Sequence, residues 1–323
     1  MHHDDDRSPD RSPDRSPVVC VLAPDPLLSV EIEASRIEGA PEVHVHHGGQ
    51  GLWVATMADS LGARVVVCGP FGGEAGALTA HLARADGLEL RPTRHGGGGA
   101  LVQDRRSGEP QEIAAQHPEP LDRHALDDLY STALVNALDA DVCVLTGAQY
   151  DIGVPADLYG RLAHDLAASG RAVVADLSGD AAAALAKEAA TVLKMSHEEM
   201  VDGGFADDES LAALRRGAET MVEGGPGAVV VSRAADPTLL VTPDGAWTVE
   251  TPQVTSVEHR GAGDSMTAGI AVGVGRGLEL PDAVALGAAA GALNVARHGL
   301  GTGRGEQIEA FARRVTVEPL DRP

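Results

Sequence analysis

Short runs of β-branched residues alternate with Ala- and Leu-rich stretches of helical length along most of this chain. That alternation constrains its fold more than any other feature. Strand-like runs fall near 64–69, 141–145 and 171–176, with helical patterns near 74–84, 122–137 and 155–168. Further strands are read at 192–194, 228–232 and, as a pair, near 238–249, before Ala/Gly helices near 264–276 and 282–297. Parallel strands cannot be joined by a tight turn and need a crossover, usually a helix. The order therefore predicts an α/β fold, a mostly parallel sheet covered by helices. A chain of 323 residues suits one large domain of this kind or two small ones. Aromatic residues make up only 2%, so the core must rest on many small Ala, Val and Leu contacts.

A net charge of −23 argues against nucleic acid and anionic membrane surfaces as partners, since it repels both. Cys20, Cys68 and Cys143 each sit within an apolar strand-like run and are expected to be buried free thiols. No run approaches the roughly 18 apolar residues of a membrane span, and no signal peptide opens the chain, so a cytoplasmic protein is expected.

Residues 1–17 carry a repeated Asp-Arg-Ser-Pro with nothing apolar to bury and read as a disordered tail. One compact domain is expected over 18–317, with 318–323 as a C-terminal tail. Two segments, near 28–47 and 89–114, read as extended strands without an intervening helix, the second turning at Arg105-Arg106-Ser107-Gly108. Together they are expected to form a small sheet projecting as a lid, a device that excludes water from phosphoryl transfer. Within the first, His44, His46 and His47 lack a third ligand at metal-binding spacing, so exposed imidazoles on a lid strand are expected.

The chemistry concentrates at Gly261-Ala262-Gly263-Asp264-Ser265, directly before the helix-compatible run from Met266. Small residues let the chain turn tightly and point successive N–H groups into one concavity at a positive helix end. Polyphosphate oxygens fit there, and Asp264 beside them can accept a proton from an attacking hydroxyl. On its own the motif also reads as an ordinary helix start. A second cluster, Gly48-Gly49-Gln50-Gly51-Leu52-Trp53, follows the first lid segment, where a substrate between lid and sheet would meet bare backbone.

These stretches resemble the ribokinase-like (PfkB) carbohydrate kinases, and within them the 1-phosphofructokinase branch. Gly261-Ala262-Gly263-Asp264-Ser265 with Ala268-Gly269 matches the family's GAGDS-xx-AG, and Gly48-Gly49 through Gly62 to Gly72 matches its N-terminal glycine spacing. Asp176-Leu177-Ser178-Gly179 resembles the D-x-SG turn, and Lys194 to Met200 the K-P-N-x-x-E-L segment. The resemblance implies a three-layer αβα sandwich with a β lid, ATP as phosphoryl donor, Mg2+, and a sugar or sugar-phosphate acceptor. It implies Asp264 as base and the N–H groups of residues 261–264 as the hole for the transferring group. It places Glu199 and Ser196 in the magnesium region and Lys194, Ser232, Asn294 and Gly301 at the nucleotide. Lid edges in this family pair between subunits, which implies a homodimer.

The departures bear on the acceptor. Gln50 stands where the branch has lysine and Trp53 where it has asparagine, and the sugar-binding aspartate position holds Leu27, with Asp25 two residues away. An arginine of the second lid strand falls within Gly96-Gly97-Gly98-Gly99, leaving Arg260, Arg105 and Arg106 as replacement cations. These losses disfavour fructose 1-phosphate and fructose 6-phosphate. Gly48, Gly49, Gln50, Trp53, Asp25 and Arg260 are thus the expected substrate contacts. Two other readings stay open: a non-catalytic sugar or nucleotide sensor, and a nucleoside kinase using Trp53 to stack a base.

Overall fold

The computed structural model describes residues 16–35, 40–94, 96–108, 110–255, 260–295 and 303–321. In chain order it begins with β1 (Val18–Leu22), β2 (Leu27–Glu33), β3 (Glu42–Gly48), α1 (Gln50–Ser60), β4 (Arg64–Pro70), α2 (Gly73–Ala85) and β5 (Glu89–Thr93). A hairpin of β6 (Gly99–Asp104) and β7 (Gln111–Gln116) follows, then α3 (Arg123–Leu138), β8 (Val142–Thr146) and α4 (Ala156–Ala168). Next come β9 (Ala172–Asp176), α5 (Gly179–Leu185), β10 (Val192–Ser196), α6 (His197–Asp202) and α7 (Leu211–Gly224). The remaining elements are β11 (Val229–Arg233), β12 (Asp236–Thr242), β13 (Gly245–Glu250), α8 (Ala262–Gly275), α9 (Leu280–Val295), α10 (Gly305–Ala312) and β14 (Thr316–Pro319).

Ten strands form one sheet in the order β14-β13-β12-β11-β10-β9-β8-β1-β4-β5. Pairing is parallel from β5 across to β11 and antiparallel from β11 to β14. Side-chain alternation splits each strand between two cores. Val19 and Val21 of β1 face a core shared with α1, α8 and α9, while Cys20 and Leu22 face one shared with α3, α4 and α7. The fold is thus an αβα sandwich. The three cysteines are free and buried, Cys20 Sγ lying 3.8 Å from Cys68 Sγ.

A second sheet of four strands, in the order β3-β2-β6-β7, is the lid. It is rooted at the site end, because β3 runs through Gly49 directly into α1. Three sequence expectations change. Residues 89–93, expected in the lid, form β5 at the edge of the large sheet, paired with β4. The tail expected from 318 is partly β14, paired with β13 through Pro319. His47, expected to be exposed, is buried and hydrogen-bonds Asp86 at 3.0 Å, whereas His46 is exposed and stacked on the half-buried His44. Of the tail expected over 1–17, all but residues 16 and 17 lie outside the described residues.

Helices α8 and α9 explain the Ala/Gly excess near the C-terminus. They pack at backbone contact: a Cβ on Gly269 would stand 2.6 Å from Gly287 Cα, and one on Gly287 would stand 2.6 Å from Ile270 Cγ1. Larger residues there would force the helices apart. Gly287→Val is therefore expected to lower unfolding stability by about 3 kcal/mol, measured by urea denaturation. A loss under about 1 kcal/mol would show that the pair can open without strain.

Candidate active site

Strands β9, β10 and β11 end side by side, and with the first turn of α8 they enclose a cavity of about 300 Å3. Register sets Lys194 opposite Asp176 and Ser196 opposite Ser232. Crevices at the carboxyl ends of parallel strands are where open α/β sheets bind ligands.

Gly261 starts α8 in the left-handed region, φ 73°, a conformation that favours glycine. The first N–H groups of α8 have no intrahelical acceptor, and Gly263 and Asp264 of that turn line the cavity. Gly263 lies against an ammonium: a Cβ there would stand 2.8 Å from Lys194 Nζ. Lys194 is only 4% exposed, and its Nζ donates to both Asp176 oxygens at 3.0 Å. Burial works against its charge, but Asp176, Asp264 and Glu199 outweigh it and hold the pKa above the ordinary lysine value. Asp176 Oδ2 also accepts from Thr267 Oγ1 at 2.7 Å, and that hydroxyl lies 3.0 Å from the Gly263 carbonyl. The ion pair, the hydroxyl and the cradle backbone are one connected unit.

Asp264 faces the cavity and keeps part of its surface there. Desolvation, followed by repulsion from Asp176, raises its pKa to about 7; Lys194 and a hydrogen bond from Gln50 pull the other way, and Glu199 adds a smaller push upward. Gln50 is fixed for that bond, since its Oε1 accepts the Gly147 N–H at 2.9 Å and leaves the amide nitrogen to face the carboxylate. A carboxyl poised near neutral pH suits proton acceptance.

The expected site residues divide into those that meet here and those that do not. Asp264, Gly263, Gln50, Lys194, Ser196, Glu199 and Ser232 line the cavity, while Gly261 and Ala262 form the helix start beside it. Ser196 and Glu199 also form a reciprocal cap on α6: Glu199 Oε2 accepts the Ser196 N–H at 2.7 Å, and Ser196 Oγ accepts the Glu199 N–H at 3.1 Å. Gly48 and Gly49 form the turn into α1, and Trp53 packs beside Gly48; none of the three is among the residues lining the cavity. Asp25 is 5% exposed, and its Oδ2 accepts the N–H groups of Gln149 and Tyr150 at 3.0 and 3.1 Å, so it braces the loop after β8. Its burial raises its pKa. Arg260 reaches toward the lid, not the cavity, and the buried Asn294 holds its carbonyl at 2.9 Å. Gly301 lies outside the described residues.

Residues outside the expected site set also belong to the site. Asp176 and Thr267 anchor the cradle as above, and His197 lines the cavity with its Nδ1 3.3 Å from the Ser232 carbonyl. Ala234 also lines it, in the left-handed region with φ 51°, a strained choice for a residue with a Cβ. The polar strand-end position of Asp176, at the head of the Asp-x-Ser-Gly turn, was the signal available in the sequence. Among the described residues no three His, Cys, Asp or Glu side chains are grouped to hold a metal ion. The donor set nevertheless fits Mg2+: carboxylates of Asp264, Glu198 and Glu199 share a cavity whose lysine is already bound to Asp176. Magnesium is usually held by one or two carboxylates together with substrate phosphates, not by a closed protein cage.

The chain resembles proteins of known identity over most of its length. It is 27% identical to the 1-phosphofructokinase of Bacillus subtilis over 256 residues, covering 79% of this chain and 83% of that one. It is 28% identical to the ATP-dependent 6-phosphofructokinase isozyme 2 of Mycobacterium tuberculosis over 287 residues, covering 85% and 81%. The structure of Escherichia coli phosphofructokinase-2 in complex with potassium superposes with a TM-score of 0.80 at 21% identity, covering 92% of this chain and 98% of that one, which shows a shared fold. The model of the pfkB family of carbohydrate kinases matches residues 27–306, spanning both glycine turns, the lid and the Asp264 cradle, and this chain belongs to that family.

Proposed function

We propose that this carbohydrate kinase moves the γ-phosphoryl group of ATP to a hydroxymethyl group of a sugar or sugar phosphate, with Asp264 as the base. The observation that carries this reading is the meeting of Asp264, with its pKa near 7, and the first turn of α8 at one cavity at the strand ends. The acceptor oxygen bonds to the γ-phosphorus as its proton passes to Asp264, and the bond to the β-phosphate oxygen breaks to release ADP. The 261–264 amides face the charge on the transferring group, and Lys194 keeps the cradle positive without entering the reaction. Magnesium bound with the nucleotide would offset phosphate charge, held through Glu199 and Ser196. The phosphofructokinase relatives favour a sugar phosphate as acceptor. Free buried cysteines, and the lack of any helix among the described residues long and apolar enough to cross a membrane, fit a cytoplasmic enzyme. The lid supports a homodimer: its edge strand β3 exposes Val43 and Val45, and β7 exposes Ile113.

Coupled-enzyme detection of ADP across sugars, sugar phosphates and nucleosides tests the reaction and separates it from a nucleoside kinase or a sensor. Asp264→Asn should abolish turnover while ATP still binds by calorimetry; retained turnover would remove Asp264 as base. In the parent, kcat/KM should fall as pH drops through about 7, because protonated Asp264 cannot accept a proton. The raised folded pKa means ionisation works against folding, so its penalty is absent below the unfolded value and grows as pH rises to about 7. Asp264→Asn should therefore melt above the parent at pH 8 and near it at pH 4, with an upper bound of about 4 kcal/mol. For the dimer, sedimentation of a Val43→Glu, Val45→Glu variant should give a monomer where the parent gives a dimer.

A further inference from the structure

A buried carboxylate in the lid grips the residue at the threshold of the amide cradle. Glu31 lies in the middle of β2 and is 8% exposed. Its Oε1 accepts from Arg260 Nη2 at 3.0 Å and from Arg105 Nη1 at 3.3 Å. Gln103, the register partner of Glu31 on β6, accepts from Arg260 Nη1 at 3.0 Å. Two adjacent lid strands thus hold one guanidinium through cross-strand neighbours on one face. The other end of Arg260 is equally fixed, because buried Asn294 of α9 donates to its carbonyl at 2.9 Å. Gly261, with its left-handed φ, comes next, and α8 with Asp264 in its first turn begins one residue later.

The contact joins residues 229 apart in sequence, so it forms only when the lid is seated on the main domain. A charge-assisted bond to a partly buried guanidinium is strong and directional. Removing the carboxylate would take away the oxygen that the Arg105 and Arg260 guanidiniums share. Their repulsion would lift the lid strand from the cradle and loosen the turn at the start of α8.

We propose that Glu31 is a positioning residue for phosphoryl transfer, holding Arg260 so that the seat of the lid sets the aim of the 261–264 turn. This rests on the kinase reading above. It differs from a substrate role for Arg260, since the guanidinium is engaged by the lid and not by the cavity.

The test compares Glu31→Gln, Arg260→Met and the double variant by steady-state kinetics, thermal melting and hydrogen exchange of peptides covering residues 260–268 and 283–293. Glu31→Gln is expected to lower kcat by about 10- to 100-fold while KM for ATP stays within about threefold. Exchange over 260–268 should quicken about tenfold with 283–293 unchanged, and the double variant should be no slower than Arg260→Met. A purely structural role would lower the melting temperature without that split between peptides and between kcat and KM. Unchanged exchange over 260–268, or kinetic losses that multiply in the double variant, would overturn the proposal. If Glu31→Gln fails to fold, Arg260→Met removes the same contact from the other side and must show the same exchange pattern. If the parent releases no ADP with any acceptor, the kinase reading fails by itself, and the exchange result still decides whether Glu31 sets the turn.

Discussion

The ion pair between Lys194 and Asp176 is the interaction on which the cavity depends. It joins the ends of two neighbouring parallel strands, almost wholly out of solvent, directly beneath the first turn of α8. A buried pair brings a desolvation penalty that its own attraction barely offsets, so stability alone does not explain it. Its effect on the surroundings does. Lys194 supplies the positive charge that lets Asp264 ionise near neutral pH, and Asp176 both neutralises that lysine in part and pushes the Asp264 pKa upward. Opposed contributions of this kind set a carboxyl near neutrality, where neither burial alone nor a lone cation would leave it. Thr267 adds the mechanical link, donating from α8 to Asp176 Oδ2 at 2.7 Å so that charge and cradle move together.

Much of this could be read from the sequence because its determinants are local. The β-branched runs and Ala-rich stretches set the strand and helix order, and the glycines before Met266 marked a turn into a helix with a carboxylate in its first turn. What escaped was set by distant neighbours. Residues 89–93 contain Arg91 and Pro92 between apolar positions, a pattern shared by a solvated lid strand and by the edge of a large sheet, and only pairing with β4 separates the two. His47 follows His46 on a strand whose neighbours Val43 and Val45 are exposed; it is buried because the strand end passes beside α2, where Asp86 receives it. Arg260 stands beside the cradle in sequence and suggests a phosphate ligand, but its guanidinium is claimed by a carboxylate more than two hundred residues earlier. Asp176 looked like a turn residue because nothing local shows that a lysine on the next strand is buried against it.

The substrate departures gain a physical meaning from the same geometry. Gln50, read as a substrate contact in place of a lysine, spans the Gly147 N–H and the Asp264 carboxylate. A neutral donor there steadies the Asp264 carboxylate without the large pKa depression that an ammonium at hydrogen-bonding distance would impose. Asp25 likewise spends one oxygen bracing the loop after β8, so the two replacements act first on the shape of the acceptor side.

Small side chains and long ones divide the work of this architecture. Helix α8 is buried from Ser265 to Gly273 and meets α9 through glycines at backbone distance, so the body of the helix is fixed by hard contacts that side-chain rotation cannot relax. The lid, by contrast, reaches that turn through Glu31, Gln103 and Arg260, polar side chains with several rotatable bonds each. An anion cradle must hold its amides in place before the phosphoryl group arrives, whereas a cover must admit and release the reactants. Alanine and glycine in the helix pair serve the first need, and a polar clamp between lid and cradle serves the second. The absence of aromatic residues from α8 and α9 follows from that division: bulky rings between them would hold the helices apart and move the turn at the start of α8.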